Sequence, residues 1–223
     1  MGKGNHLIIL ASASPRRQEL LALLDIPFEI IPSGVDERLL AGESPEEHVL
    51  RLARAKAEDI AAQKKGRWIL AADTVVEIDG KILGKPKDRR EAEEMLRWLS
   101  RRAHRVLTGY CIMNSASPLR KEGKVTTRVK FKPLSEEEIC WYIRTAEPFD
   151  KAGGYAVQGR GAFMVQEVRG SYTNVVGLPL CEVVRDLREL GAVDIFAAEH
   201  TARRSRTQKY ISRGALRERR EKS

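Results

Sequence analysis

The stretch WILAADTVVEI, Trp68–Ile78, constrains this chain more than any other. Its apolar and β-branched residues read as one long strand, and the Asp79-Gly80 pair that follows is a strong signal for a tight hairpin into residues 81–83. One residue breaks the apolar run. Asp73 sits at its middle, and a buried carboxylate without a partner is costly, so it calls for a cation, a metal ion or several donors. The fold must bury this strand and also give Asp73 a reason to be there.

The flanking sequence alternates between the two kinds of element. Residues 7–11 read as a strand that ends in Ser-Ala-Ser-Pro, with Ser14 as cap, Pro15 in the first turn and a helix over 16–24. Residues 28–31 read as a second strand, followed by the polar loop PSGVDERLLAGES. Ser44-Pro45-Glu46-Glu47 is a capping box opening a helix that ends near Gly66, with Val49, Leu52, Ala53, Ile60 and Ala61 at roughly helical spacing. A helix is expected over 89–100 and paired strands over 104–113 and 125–132, with Gly123 in the loop between them. A second capping box at Ser135–Glu138 opens a helix to about Arg144, a strand follows over 162–168, and a last helix runs from Pro179 to Leu190. Hairpins and crossovers occur together, so the expected class is α/β, a mixed twisted sheet flanked by helices.

Composition narrows the setting. With 42% hydrophobic and 32% charged residues, the 223-residue chain has the make-up of a soluble globular protein, enough for one substantial domain or two small ones. No run approaches the roughly 18 apolar residues of a membrane span, and no signal peptide is expected ahead of Leu7. Cys111, Cys140 and Cys181 are odd in number and widely spaced, which argues against a zinc site or disulfide framework; reduced, packed cysteines in the cytoplasm are expected. The net charge of +9 is unevenly held. Residues 199–223 carry nine Lys/Arg against three Glu, so six of those charges lie in a basic tail and three in the body, residues 1–198. Such a tail is expected to be flexible, with nucleic-acid binding through it an alternative role.

There is no GxxxxGK[ST], no GxGxxG after a strand and no HExxH, and the four histidines lie apart from any plausible nucleophile. What remains are polar residues at the ends of apolar segments. In ASASPRR, hydroxyls and backbone N–H groups meet Arg16 and Arg17 at a helix start. Cations there oppose the helix dipole, so the stretch is either a plain capped helix with solvated arginines or an anion site. Asp73 reads either as a charge paired with a cation of the body or as a general base or magnesium ligand. Asp36 and Glu37 offer hard oxygens of the sort magnesium takes, while Lys56 and Lys85 are either solvated charges or phosphate contacts. Taken together, these groups are the parts needed for attack of water on a polyphosphate.

The ordered segments LASASPRRQELLALL, GVDE, RLARAKA, AADTVV, GKILGKPKD, MLRWLS, TGY, EPFDKAGGYAVQG and VRGSYTNVVGLPL, over residues 6–191, resemble the Maf family of nucleotide pyrophosphatases, also called septum-formation-inhibitor proteins. The resemblance implies a fold similar to the inosine triphosphate pyrophosphatases, with two lobes around a cleft. It also implies hydrolysis of a nucleoside triphosphate to the monophosphate and diphosphate with a divalent cation (Mg or Mn), in a cytoplasmic homodimer. By motif, Asp73 corresponds to the base and, with Glu37, to the metal ligands. Ser12, Arg16, Lys56 and Lys85 correspond to positions around the triphosphate, and Arg17 is expected to be a solvated neighbour. Arg16, Thr74 and Gln158 resemble the subgroup acting on dTTP and UTP rather than the one associated with 7-methyl-GTP. Thr74 and Gln158 would then read the pyrimidine edge. A competing reading is a nucleic-acid-binding or division-regulating protein working through the tail.

Overall fold

The apolar run around Asp73 forms strand β3 over its whole length, Trp68–Ile78, in a computed structural model that describes residues 6–195. The basic tail of residues 199–223 lies outside the described residues. Around β3 are β1 (Ile8–Leu10), α1 (Pro15–Ala22), β2 (Phe28–Ile30), α2 (Pro45–Gln63), β4 (Lys81–Leu83), α3 (Arg89–Leu99), β5 (Ala103–Asn114), β6 (Arg120–Phe131) and α4 (Glu136–Arg144). Three short 3-10 turns, β7 (Val165–Arg169), α5 (Tyr172–Val176) and α6 (Leu180–Glu189) complete it. One seven-stranded sheet runs β2-β1-β3-β5-β6-β7, with β4 paired to β3. The β1 pairings are parallel and all the others antiparallel, so the sheet is mixed and helices flank it. The Asp79-Gly80 turn has both residues at positive φ (53° and 78°), the geometry of a two-residue hairpin loop. Both capping boxes form, at Ser44/Glu47 and Ser135/Glu138.

Several expectations are corrected. Strand β6 begins at Arg120, not 125, so Gly123 lies within it. There Tyr110 of β5 fills the space a side chain would take: a Cβ on Gly123 would lie 2.4 Å from the Tyr110 hydroxyl. Residues 162–164, expected to open a strand, belong to a 3-10 turn over Arg160–Met164, and β7 starts only at Val165. Helix α5, in SYTNVVG, is too short to show a periodic pattern. Cys111 is buried as expected, whereas Cys181 is exposed on α6 rather than packed.

The packing explains where a cleft forms. On one face of β3, Trp68, Leu70 and Ala72 belong to a core with β1, α1 and α6, while Val76 and Ile78 belong to a second core with α3 and α4. Thr74 falls between the two. On the opposite face, Ile69 and Ala71 pack under α2 and Val75 packs with Val49 and Leu107, leaving Asp73 between them. The sheet edge breaks at the same place: β1 pairs with Trp68–Leu70 and β4 with Val76–Ile78, so residues 71–75 pair with β5 alone. Helix α2 is drawn close over this gap because Gly109 of β5 carries no side chain. A Cβ there would lie 2.5 Å from the Val49 carbonyl oxygen.

Candidate active site

Six segments converge on the gap in the β3 edge and enclose a cleft of about 380 Å³. The turn before α1 brings Ser12 and Arg16, α2 brings Lys56, and β3 brings Asp73 and Thr74. The loop before α2 adds Glu37, the chain after β4 adds Lys85, and the 3-10 region adds Gln158. Of the residues singled out as site candidates from the sequence, all but Asp36, which is exposed and pairs with Arg38, therefore line this one cleft. Asp150 and Lys151, to which sequence reasoning assigned no role, line it too. Five cations (Arg16, Arg17, Lys56, Lys85 and Lys151) face three carboxylates (Glu37, Asp73 and Asp150), a balance that favours a polyanion.

Lys56 is the hub. It lies on the buried stripe of α2 with Val49, Leu52, Ala53, Ala57 and Ile60, where an apolar residue would ordinarily sit. Its ammonium donates to Asp73 Oδ1 at 2.7 Å and lies 2.6 Å from Glu37 Oε1. Lys56 and Asp73 are 7% and 9% exposed at the side chain, whereas Glu37 is 54% exposed. Burial works against the Glu37 carboxylate, but the hydrogen bond and charge of Lys56, with Lys85 and Arg17 beyond, hold it below its usual range. The partner that Asp73 requires is thus a lysine, and it brings a second carboxylate alongside.

Arg17 overturns an expectation. It is not a solvated neighbour of Arg16: its Nε donates to Gly177 O at 2.8 Å, Nη1 to Ser12 Oγ at 3.2 Å and Nη2 to Thr74 Oγ1 at 3.0 Å. Burial pushes its guanidinium down from the usual range, opposed by the charges of Asp73 and Glu37. Arg17 ties the turn before α1 to the middle of β3 and to the end of α5. Ser14 holds the cap position of α1 but makes no side-chain cap; the Ser14 N–H instead donates to Ser12 Oγ at 3.2 Å. Arg16 carries none of these bonds. Its guanidinium is lowered by burial and drawn back by Asp150.

The loop bearing Glu37 has no regular structure and is pinned at its far end. Arg51 donates through Nε and Nη2 to the two oxygens of Glu43 at 2.5 and 2.8 Å, and through Nη2 to Arg38 O at 3.1 Å. His48 Nδ1 lies 2.9 Å from Glu43 Oε2, and Leu40 N donates to the same oxygen. The Arg51 hydrogen bond, against burial and with His48 and the Leu40 N–H assisting, holds the Glu43 carboxyl down at about 2. An acid depressed in the fold contributes stability that is full above its ordinary value near 4.5 and lost as pH falls towards about 2. The difference in unfolding free energy between wild type and Glu43→Gln is therefore expected to be full at pH 7 and to shrink between about pH 4.5 and about pH 2. A difference that stays constant across that range in denaturant titrations would show that the clamp has no energetic consequence.

The family described as Maf-like protein matches residues 7–190. The chain belongs to the Maf family. Among its relatives, the dTTP/UTP pyrophosphatase of Geotalea uraniireducens is 56% identical over 187 residues, covering 84% of this chain and 96% of that protein. The dTTP/UTP pyrophosphatase of Syntrophus aciditrophicus is 52% identical over 193 residues, covering 86% of this chain and 94% of its own. Among solved structures, the Staphylococcus aureus Ham1 protein aligns with this Maf chain at a TM-score of 0.39 and 18% identity, over 56% of this chain and 71% of that one. That likeness is too loose to bear on function. No helix among the described residues is long and apolar enough to cross a membrane.

Proposed function

We propose that this Maf-family chain hydrolyses dTTP and UTP to the nucleoside monophosphate and diphosphate. The observation that carries the reading is the ion-paired Asp73 held beside five cations in a single cleft at the break in the sheet edge. The dTTP/UTP pyrophosphatases to which the chain is 50–56% identical support it. Lys56 engages Asp73 Oδ1, which leaves Oδ2 to take a proton from the attacking water. As the water oxygen bonds to the α-phosphorus, its proton passes to Asp73 and the bond from that phosphorus to the bridging oxygen breaks. The electron pair leaves on diphosphate, and Arg16, Lys85 and Lys151 stabilise the charge that develops there.

A divalent cation fits the residues present. Glu37 and Asp73 each place an oxygen within 2.7 Å of one ammonium, so two hard carboxylates converge. Among the described residues no three His, Cys, Asp or Glu side chains gather around one point. Two carboxylates are what magnesium ordinarily takes from a protein when substrate phosphates supply the rest. Glu37 and Asp73 would hold the ion, which would neutralise phosphate charge and activate water. Homodimer formation in the cytoplasm belongs to the same proposal. The alternative through the basic tail rests on residues outside those described.

A panel of the canonical ribo- and deoxynucleoside triphosphates with magnesium or manganese tests the reading. Turnover concentrated on dTTP and UTP is expected, and turnover confined to purine nucleotides would refute it.

A further inference from the structure

The hydroxyl of Thr74 has one proton, and it is spent inside the protein. Thr74 and Thr108 form an in-register pair across β3 and β5, with their hydroxyl oxygens 2.9 Å apart. Thr108 is fully buried, and its hydroxyl donates to Asn174 O at 3.1 Å. That uses its only proton, so Thr74 is the donor of the bond between the two. Arg17 Nη2, which can only donate, takes one acceptor position on the Thr74 oxygen. One acceptor position stays open. The reverse arrangement, with Thr108 donating to Thr74, would give up the 3.1 Å bond to Asn174 O and offer the Thr74 proton only Gly177 O, 3.5 Å away, so the first arrangement is favoured. In the favoured arrangement Thr74 has no proton to offer a ligand.

We infer that Thr108 sets the base selectivity of the cleft by fixing Thr74 as an acceptor for the N3–H of uracil and thymine. The inference rests on the pyrimidine reading above. Uracil and thymine carry a proton at N3, whereas cytosine carries a lone pair at the same position. An acceptor-only Thr74 bonds the first two and meets cytosine lone pair to lone pair, and a site whose polar groups are left unpaired rejects the wrong ligand strongly. Thr108 does not itself line the cleft, so it is a positioning residue that works through Thr74. The acceptor it depends on is braced from behind. Asn174, also fully buried, donates through Nδ2 to Val106 O and Thr127 Oγ1 at 3.0 Å each, which fixes the α5 carbonyl.

The test compares kcat/KM for UTP and CTP in wild type, Thr108→Val and Thr108→Ser, with thermal melts to confirm folding. Valine removes the acceptor and frees the Thr74 proton to turn towards the ligand. The UTP-to-CTP ratio is expected to fall by at least about tenfold, through loss on UTP with CTP steady or improved, and serine is expected to restore it. A folded Thr108→Val with an unchanged ratio, or with equal losses on both nucleotides, would overturn the inference. Should valine prevent folding, Thr108→Ala carries the same comparison. Failure of the pyrimidine reading shows separately, as a wild-type enzyme with no preference for UTP over CTP and the purine nucleotides.

Discussion

Replacing Asp73 by asparagine is expected to lower kcat on UTP or dTTP by about 100- to 10,000-fold, the range that a positioned general base contributes, while the protein still folds. The amide keeps the shape of the side chain but cannot take the water proton. Folding should survive because Lys56 does not lose every partner: Glu37 Oε1 remains 2.6 Å from its ammonium. Circular dichroism and a thermal melt establish the fold, and initial rates establish the loss. A folded variant retaining most of its turnover would remove Asp73 from the role of base.

The second large effect is on stability. Lys56→Met suits the apolar stripe of α2, yet it leaves Asp73, 9% exposed at the side chain, without its cation. Breaking a buried ion pair from one side costs about 3–5 kcal/mol, because the remaining charge is buried uncompensated. The unfolding free energy at neutral pH is expected to drop by that amount. The double variant Lys56→Met/Asp73→Asn, which removes both charges, should recover part of the loss, with a coupling of about 1–3 kcal/mol between the two sites. Additive losses in denaturant titrations would mean that the pair contributes nothing as a pair.

These two residues also show how far the sequence could be read. Strand β3 was legible to its ends because an apolar run and an Asp-Gly turn are local signals, and so were both capping boxes. Asp73 stood out because a carboxylate breaks an apolar run; Lys56 read either as a solvated charge or as a phosphate contact, and only the fold puts it on the buried stripe of α2. Arg17 was not legible. Two arginines at a helix start look alike along the chain, and what distinguishes them is a carbonyl at Gly177, 160 residues away, which only the folded sheet brings within 2.8 Å. The start of β6 failed for a related reason. RKEGK shows no apolar alternation, and Gly123 reads as a turn until Tyr110 is seen to occupy the place of its side chain. Thr108 lies in the TGY segment of the resemblance, but nothing local gave it a role, and its part follows only from counting hydroxyl protons.

Hydrolysis to the monophosphate means that the linkage between the α- and β-phosphates is the one cut. A time course on UTP with magnesium, quantifying every phosphorus-containing product, is expected to show UMP and diphosphate rising in equal amounts from the first points, with no UDP and no orthophosphate. Equal release of UDP and orthophosphate would place the attack at the terminal phosphorus and contradict it.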